Sequence, residues 1–283
     1  MTFLLRRTAL CSSAAWASLV MALLSRASAA AEPVISAAKR ADHGFVVYDV
    51  QSEFQAGTTQ IFVRRPDKIA GGPLLALYIL PVEAHAEKRW GDARAEVAKL
   101  DLANRYGVIC VFPTFGHLPW FADHASDPRI RQESYLLKVV LPFIERSYPV
   151  GTDRYARALL GFSKSGWGAW TLLLRHPDVF GKAAAWDAPM TMDIPRYGMA
   201  PIVGTQENFE RYRITTLLRQ RGALLGDEQR LMLAGWDFYR EPTIAARRLL
   251  QELKIPHAYR DGPQRRHHWN SGWMADLARW AAR

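Results

Sequence analysis

Two hydrophobic periods alternate along the chain. Residues 44–50 (GFVVYDV) and 59–65 (TQIFVRR) are rich in β-branched and aromatic side chains, and a polar stretch containing Gly57 divides them. This predicts an antiparallel hairpin. Short apolar runs follow at 74–80, 108–112, 157–162 (RALLGF), 182–186 (KAAAW), 230–235 (RLMLAG) and 257–259, the pattern of strands buried on both faces. Between them, apolar residues recur three and four apart over 93–106 (closed by Gly107), 129–148, 166–175, 243–253 and 271–282, which predicts helices. Pro142 falls inside the second of these and predicts a kink. Residues 190–227 carry no strand pattern and predict loops and short helices. A hairpin followed by strands alternating with helices specifies an α/β class: a mostly parallel, eight-stranded sheet with helices on both faces, formed by one domain over residues 32–283.

Residues 1–31 stand outside this alternation. Arg6 and Arg7 precede an uncharged run from Thr8 to Leu24, and Ala27-Ser28-Ala29 offers a small-x-small cleavage site. This is the pattern of a cleaved signal peptide, short for a membrane span and ended by small residues. The expectation is an exported protein, periplasmic or extracellular, without stable membrane insertion after cleavage. Cys11 would leave with the leader. Cys110 lies in the apolar run 108–112, where a cysteine serves as a small buried hydrophobe.

The formal charge of +10 invites an anionic partner. The arginines are scattered, however, with no basic stripe or reading motif, so no nucleic-acid partner is expected. No G-x-G-x-x-G or G-x-x-x-x-G-K-[ST] follows an early strand, which argues against a nucleotide-binding enzyme. No cofactor or metal is implied.

The chemistry concentrates where 157–162 runs into Ser163-Lys164-Ser165-Gly166-Trp167-Gly168. A serine on a sharp strand-to-helix turn, with small residues two before and two after, is the nucleophile elbow of an α/β-hydrolase fold. Gly161 fills the first place, and Ser165 stands where glycine is usual. The plain alternative is that Ser163 only caps the helix. A serine needs a base, and the base needs an orienting acid, in the chain order Ser, acid, His. Asp237 follows the strand 230–235 and is the expected acid, with Glu241 and Asp187 as fallbacks. His267 and His268 lie between the last strand and the last helix, where the base belongs, and spacing alone does not separate them.

The segment Gly262-Pro263…His267-His268-Trp269…Trp273 resembles the G-x-H-x-W-x-x-W ending of the Putative esterase family of α/β-hydrolases, which includes carbohydrate and feruloyl esterases, S-formylglutathione hydrolase and the mycolyltransferases. Trp120-Phe121-Ala122-Asp123 is similar to its W-Y-x-D loop, Glu133 to Glu145 to its E-x-Y-L…P-x-I-E helix, and Leu174 to Phe180 to its L-R-H-P-D-x-F segment. The resemblance implies an acyl hydrolase acting on a small-molecule or glycan-linked ester, with His267 as base. The first oxyanion donor would be the N–H of Lys164. The family's His-Gly after the third strand is replaced here by Leu80-Pro81-Val82-Glu83-Ala84, so the second donor falls to Val82 or Glu83 or is absent. Trp120, Phe121 and Trp167 are the candidate walls of the substrate pocket, with core or rim packing as the plain alternative. The altered oxyanion loop also motivates a rival reading, a catalytically inactive hydrolase-fold binding protein of the cell envelope.

Overall fold

The computed structural model describes residues 32–69, 71–85 and 87–283; the expected leader, with Cys11, lies outside them. The strands are β1 (Val34–Ile35), β2 (Lys39–Arg40), β3 (Val46–Gln51), β4 (Thr59–Arg64), β5 (Leu75–Ile79), β6 (Val108–Pro113), β7 (Arg157–Phe162), β8 (Lys182–Trp186), β9 (Leu231–Ala234) and β10 (His257–Arg260). They form one sheet in the order β1-β3-β4-β6-β5-β7-β8-β9-β10, with β2 also paired to β3. The pairs from β1 to β4, and β4 with β6, are antiparallel. All the others are parallel. The eight expected strands are β3 to β10. The additional β1 and β2 have two residues each, too few to leave a hydrophobic period.

The central strands feed two cores because their side chains alternate between faces. In β5, Ala76 and Tyr78 enter one core, and Leu77 and Ile79 the other. In β8, Ala183 and Ala185 oppose Ala184 and Trp186. The first core is roofed by the helix Ser163–Arg175, whose Trp167, Trp170, Leu172, Leu173 and Leu174 are fully buried. Each such leucine contributes about 1.5–3 kcal/mol by leaving water. The second core is closed by the helices Ala93–Lys99, Leu102–Tyr106 and Trp273–Ala281. Cys110 is fully buried in this layer, and burial pushes its thiol up to about 12.

The long helix expected over 129–148 is broken into three parts. A helical turn at Gln132–Tyr135 passes through a π-helical stretch at Leu136–Val140 into the helix Leu141–Ser147. The cause is Pro142, which has no N–H for the usual i−4 carbonyl. The ladder widens just before it, and the Leu141 N–H reaches back five residues to the Leu136 carbonyl.

A buried carboxylate ties this region to the far end of the helix Ser163–Arg175. Glu133 accepts from Arg175 Nε (2.6 Å) and Nη2 (3.0 Å), from His176 Nε2 (2.5 Å) and from the Tyr212 hydroxyl (2.9 Å). Burial opposes its charge, but the bonds from His176 and Arg175 outweigh burial and hold its carboxyl at about 2, below the ordinary 4.5. A depressed carboxyl stabilises the fold above its unfolded-state value, and that stabilisation is lost as pH falls through the folded value. Glu133→Gln is therefore expected to lower Tm at pH 7, with the gap to wild type narrowing from about pH 4.5 toward pH 2. Thermal melts across that range check this; a gap independent of pH would contradict it.

Candidate active site

The end of β7 and the start of the following helix form a sharp turn. Ser163 has φ +52°, in the left-handed region that a β-carbon disfavours. Strain of this kind is held only where packing over-determines it, and the neighbours here do so. A β-carbon at Gly161 would overlap the Ser165 carbonyl, so glycine is required there. One at Gly166 would press on the β-carbons of Ala188 (3.0 Å) and Ala185 (3.1 Å), so the small residues in and just after β8 let the helix sit close. The Ser165 hydroxyl is buried beneath the turn. It donates to the Phe162 carbonyl (2.9 Å) and accepts from the Phe162 N–H (3.0 Å), so the side chain that replaces the usual glycine clamps the elbow.

Ser163 lines a cavity of about 420 Å³ together with Glu83, Lys164, His267, Trp90, Leu118, Tyr197, Phe238, Tyr239 and Arg89. His267 is 7% exposed, its imidazole flanked by the rings of Phe162 (4.8 Å), Trp90 (4.9 Å), Phe238 (5.1 Å) and Tyr239 (5.8 Å). Its Nδ1 meets Asp187 Oδ2 at 2.5 Å. The other Asp187 oxygen accepts the Tyr239 N–H at 2.8 Å. Asp187 directly follows β8, is 2% exposed and has φ +41°. Among the described residues, neither the Ser163 hydroxyl nor His267 Nε2 makes a hydrogen bond, so both face the cavity unpartnered.

The structure moves the imidazole's carboxylate partner from Asp237 to Asp187. Asp237 accepts the backbone N–H of His267 (2.8 Å) and Gln264 Nε2 (3.0 Å), so it holds the histidine's main chain rather than its ring. Both aspartates follow adjacent parallel strands, and β8 lies one strand nearer Ser163. Glu241 lies in the first turn of the helix Arg240–Glu252 and does not line the cavity. His268 is turned away from the cavity: its Nδ1 accepts the Asn270 N–H at the start of the short turn Trp269–Ser271.

Trp120, Phe121 and Trp167 are core residues and not pocket walls. All three are fully buried. Trp120 and Trp167 pack edge to face with centroids 5.6 Å apart. Phe121, at φ +56°, lies over Gly168, where a β-carbon would strike its ring. The observed walls are other aromatics. Phe238 and Tyr239 follow Asp237 directly, Tyr197 comes from the segment 190–227, and Trp90 sits in the polar run Lys88-Arg89-Trp90-Gly91. A lone aromatic in polar surroundings marks Trp90, and a place just past a parallel strand's C-terminal end marks Phe238 and Tyr239; Tyr197 carries no such signal.

Lys164, in the first turn of its helix, has an N–H with no intrahelical acceptor, as at every helix start. Glu83 lines the same cavity, whereas Val82 is 3% exposed and packs into the second core. Among the described residues, no three His, Cys, Asp or Glu side chains gather as a metal site requires, and no helix is long and apolar enough to cross a membrane.

Sheet order and strand-to-helix turn together are those of the α/β-hydrolase fold. Residues 117–222 match the family model described as "Putative esterase". The chain is similar to Esterase Rv1288 of Mycobacterium tuberculosis, 28% identical over 95 residues, which covers 32% of this chain and 21% of that protein. Among solved structures it resembles fluorophosphonate-binding serine hydrolase F of Staphylococcus aureus, with TM-score 0.68 and 16% identity over 84% of this chain and 98% of that one. It also resembles an S-formylglutathione hydrolase from Agrobacterium tumefaciens, with TM-score 0.66 and 18% identity over 88% and 98% of the two chains.

Proposed function

We propose that this chain is an exported serine hydrolase that cleaves carboxylic esters through an acyl-enzyme. The observation that carries this reading is Ser163 at φ +52° on the elbow, sharing its cavity with a histidine whose Nδ1 is held by Asp187. A carboxylate on Nδ1 keeps the proton there and leaves Nε2 free to accept. As Ser163 Oγ bonds to the carbonyl carbon of an ester, His267 Nε2 takes the hydroxyl proton. The N–H groups of Lys164 and Glu83 receive the oxyanion. The tetrahedral adduct collapses, the carbon–oxygen bond to the alcohol breaks, and His267 returns its proton to the leaving alkoxide. Water repeats the sequence and frees the acid. The substrate in this reading is a small-molecule or glycan-linked ester whose organic part rests among Trp90, Tyr197, Phe238 and Tyr239. The leader pattern over residues 1–31 supports export.

The purified protein is expected to react with a fluorophosphonate probe and to carry the label on the peptide containing Ser163, read by mass spectrometry. Folded protein that resists the probe and leaves p-nitrophenyl acetate intact would instead favour a ligand-binding relative of the hydrolases.

A further inference from the structure

The loop after β5 lacks the His-Gly of similar esterases, and a different device occupies its place. Glu83 Oε1 accepts from Lys164 Nζ at 3.2 Å and from Trp90 Nε1 at 3.0 Å. The two charged side chains are largely buried, at 9% and 14% exposure. Lys164 immediately follows the nucleophile, so this ion pair joins the two backbone segments that flank Ser163 across 81 residues of sequence. The third member reaches the base: the Trp90 ring stands perpendicular to the His267 imidazole, with centroids 4.9 Å apart. One carboxylate oxygen thus links the loop, the elbow and the histidine's packing.

We propose that Glu83 is a positioning residue, whose clasp on Lys164 and Trp90 fixes the loop and elbow N–H groups at the spacing that the oxyanion requires. Oxyanion donors act only when preorganised within a few tenths of an ångström. A loop of Pro81-Val82-Glu83 has neither a glycine turn nor a helix start to hold it. A part-buried ion pair is screened less than a surface pair; Lys164 ties the loop to the elbow helix, and Trp90, seven residues on in the same segment, closes the loop on itself.

This inference rests on the esterase reading, and the test separates the two. Glu83→Ala is expected to lower kcat for p-nitrophenyl acetate by about 10–10²-fold, with KM changed less than about threefold. The rate of fluorophosphonate labelling should fall in step, because the phosphonate adduct places its oxygen where the oxyanion forms. Glu83→Gln keeps an oxygen that accepts from both donors and should stay within about fivefold of wild type. Lys164→Met combined with Glu83→Ala should lose little beyond the larger single loss, the signature of one coupled unit. A role in stability alone would lower Tm in Glu83→Ala while leaving kcat and labelling rate of the folded protein at wild-type values, and that result overturns the proposal. Wild-type protein that takes no label overturns the esterase reading itself; labelled wild type with an equally fast Glu83→Ala overturns only the clasp.

Discussion

Ser163→Ala is expected to lower kcat for p-nitrophenyl acetate by about 10⁵–10⁶-fold and to abolish fluorophosphonate labelling, with Tm close to wild type. The reaction path loses its nucleophile, so what survives is the contribution of binding and the oxyanion donors over water. The fold loses little, because the Ser163 hydroxyl makes no hydrogen bond among the described residues and alanine relieves none of the packing that sets φ +52°. Ser165→Ala should show the reverse profile. Its hydroxyl bridges the N–H and carbonyl of Phe162, and removing it leaves buried groups without partners, at about 1–3 kcal/mol of stability. Labelling at Ser163 should persist. Steady-state kinetics and thermal melts on the two variants check the pair; activity that survives Ser163→Ala and vanishes in Ser165→Ala would transfer the nucleophile to the second serine.

The elbow was readable in sequence because its constraints are local. A strand carrying Gly161 near its end, a residue with a hydroxyl, and small residues opening a helix all fall within a few positions, and the glycines answer to steric demands of the turn. The sheet was readable for the same reason: buried parallel strands leave apolar runs, and β1 and β2 were missed because two residues cannot. Pro142 announced a disturbance in its helix, but its form, a π-helical stretch on the N-terminal side, depends on how the whole ladder redistributes.

The pocket was less readable because it is assembled from distant segments. Trp120 and Phe121, in a loop distant in sequence from the elbow, and Trp167, just after it, are all fully buried, with Phe121 over Gly168 and Trp120 edge to face with Trp167. Trp90 is hidden in sequence among charged neighbours, although its indole touches both Glu83 and the His267 ring. For the histidine the resemblance supplied what spacing did not, and the structure supplies a reason: His268 packs against Gly91 and caps a turn, whereas His267 enters the cavity.

Asp187→Asn is expected to lower kcat by about 10⁴-fold, whereas Asp237→Asn should stay within about tenfold of wild type. The asymmetry follows from hydrogen-bond polarity. Asp187 Oδ1 accepts the Tyr239 N–H, so an asparagine there keeps its oxygen on that donor and turns its amide toward His267. The amide donates to Nδ1, the ring proton moves to Nε2, and the imidazole no longer accepts the Ser163 proton. A factor of 10⁴ corresponds to about 5 kcal/mol of transition-state stabilisation. At Asp237 both oxygens accept, one from the His267 main chain and one from Gln264, and either orientation of an asparagine amide preserves one of those bonds without touching the ring. Positional expectation favours Asp237, because it follows the later of the two strands, yet the carboxylate that reaches Nδ1 in three dimensions comes from β8. Kinetics of the two variants, with melts to show that both fold, decide between them. Inactive Asp237→Asn beside active Asp187→Asn would return the acid to the end of β9; the opposite pattern fixes it at the end of β8, one strand from the nucleophile.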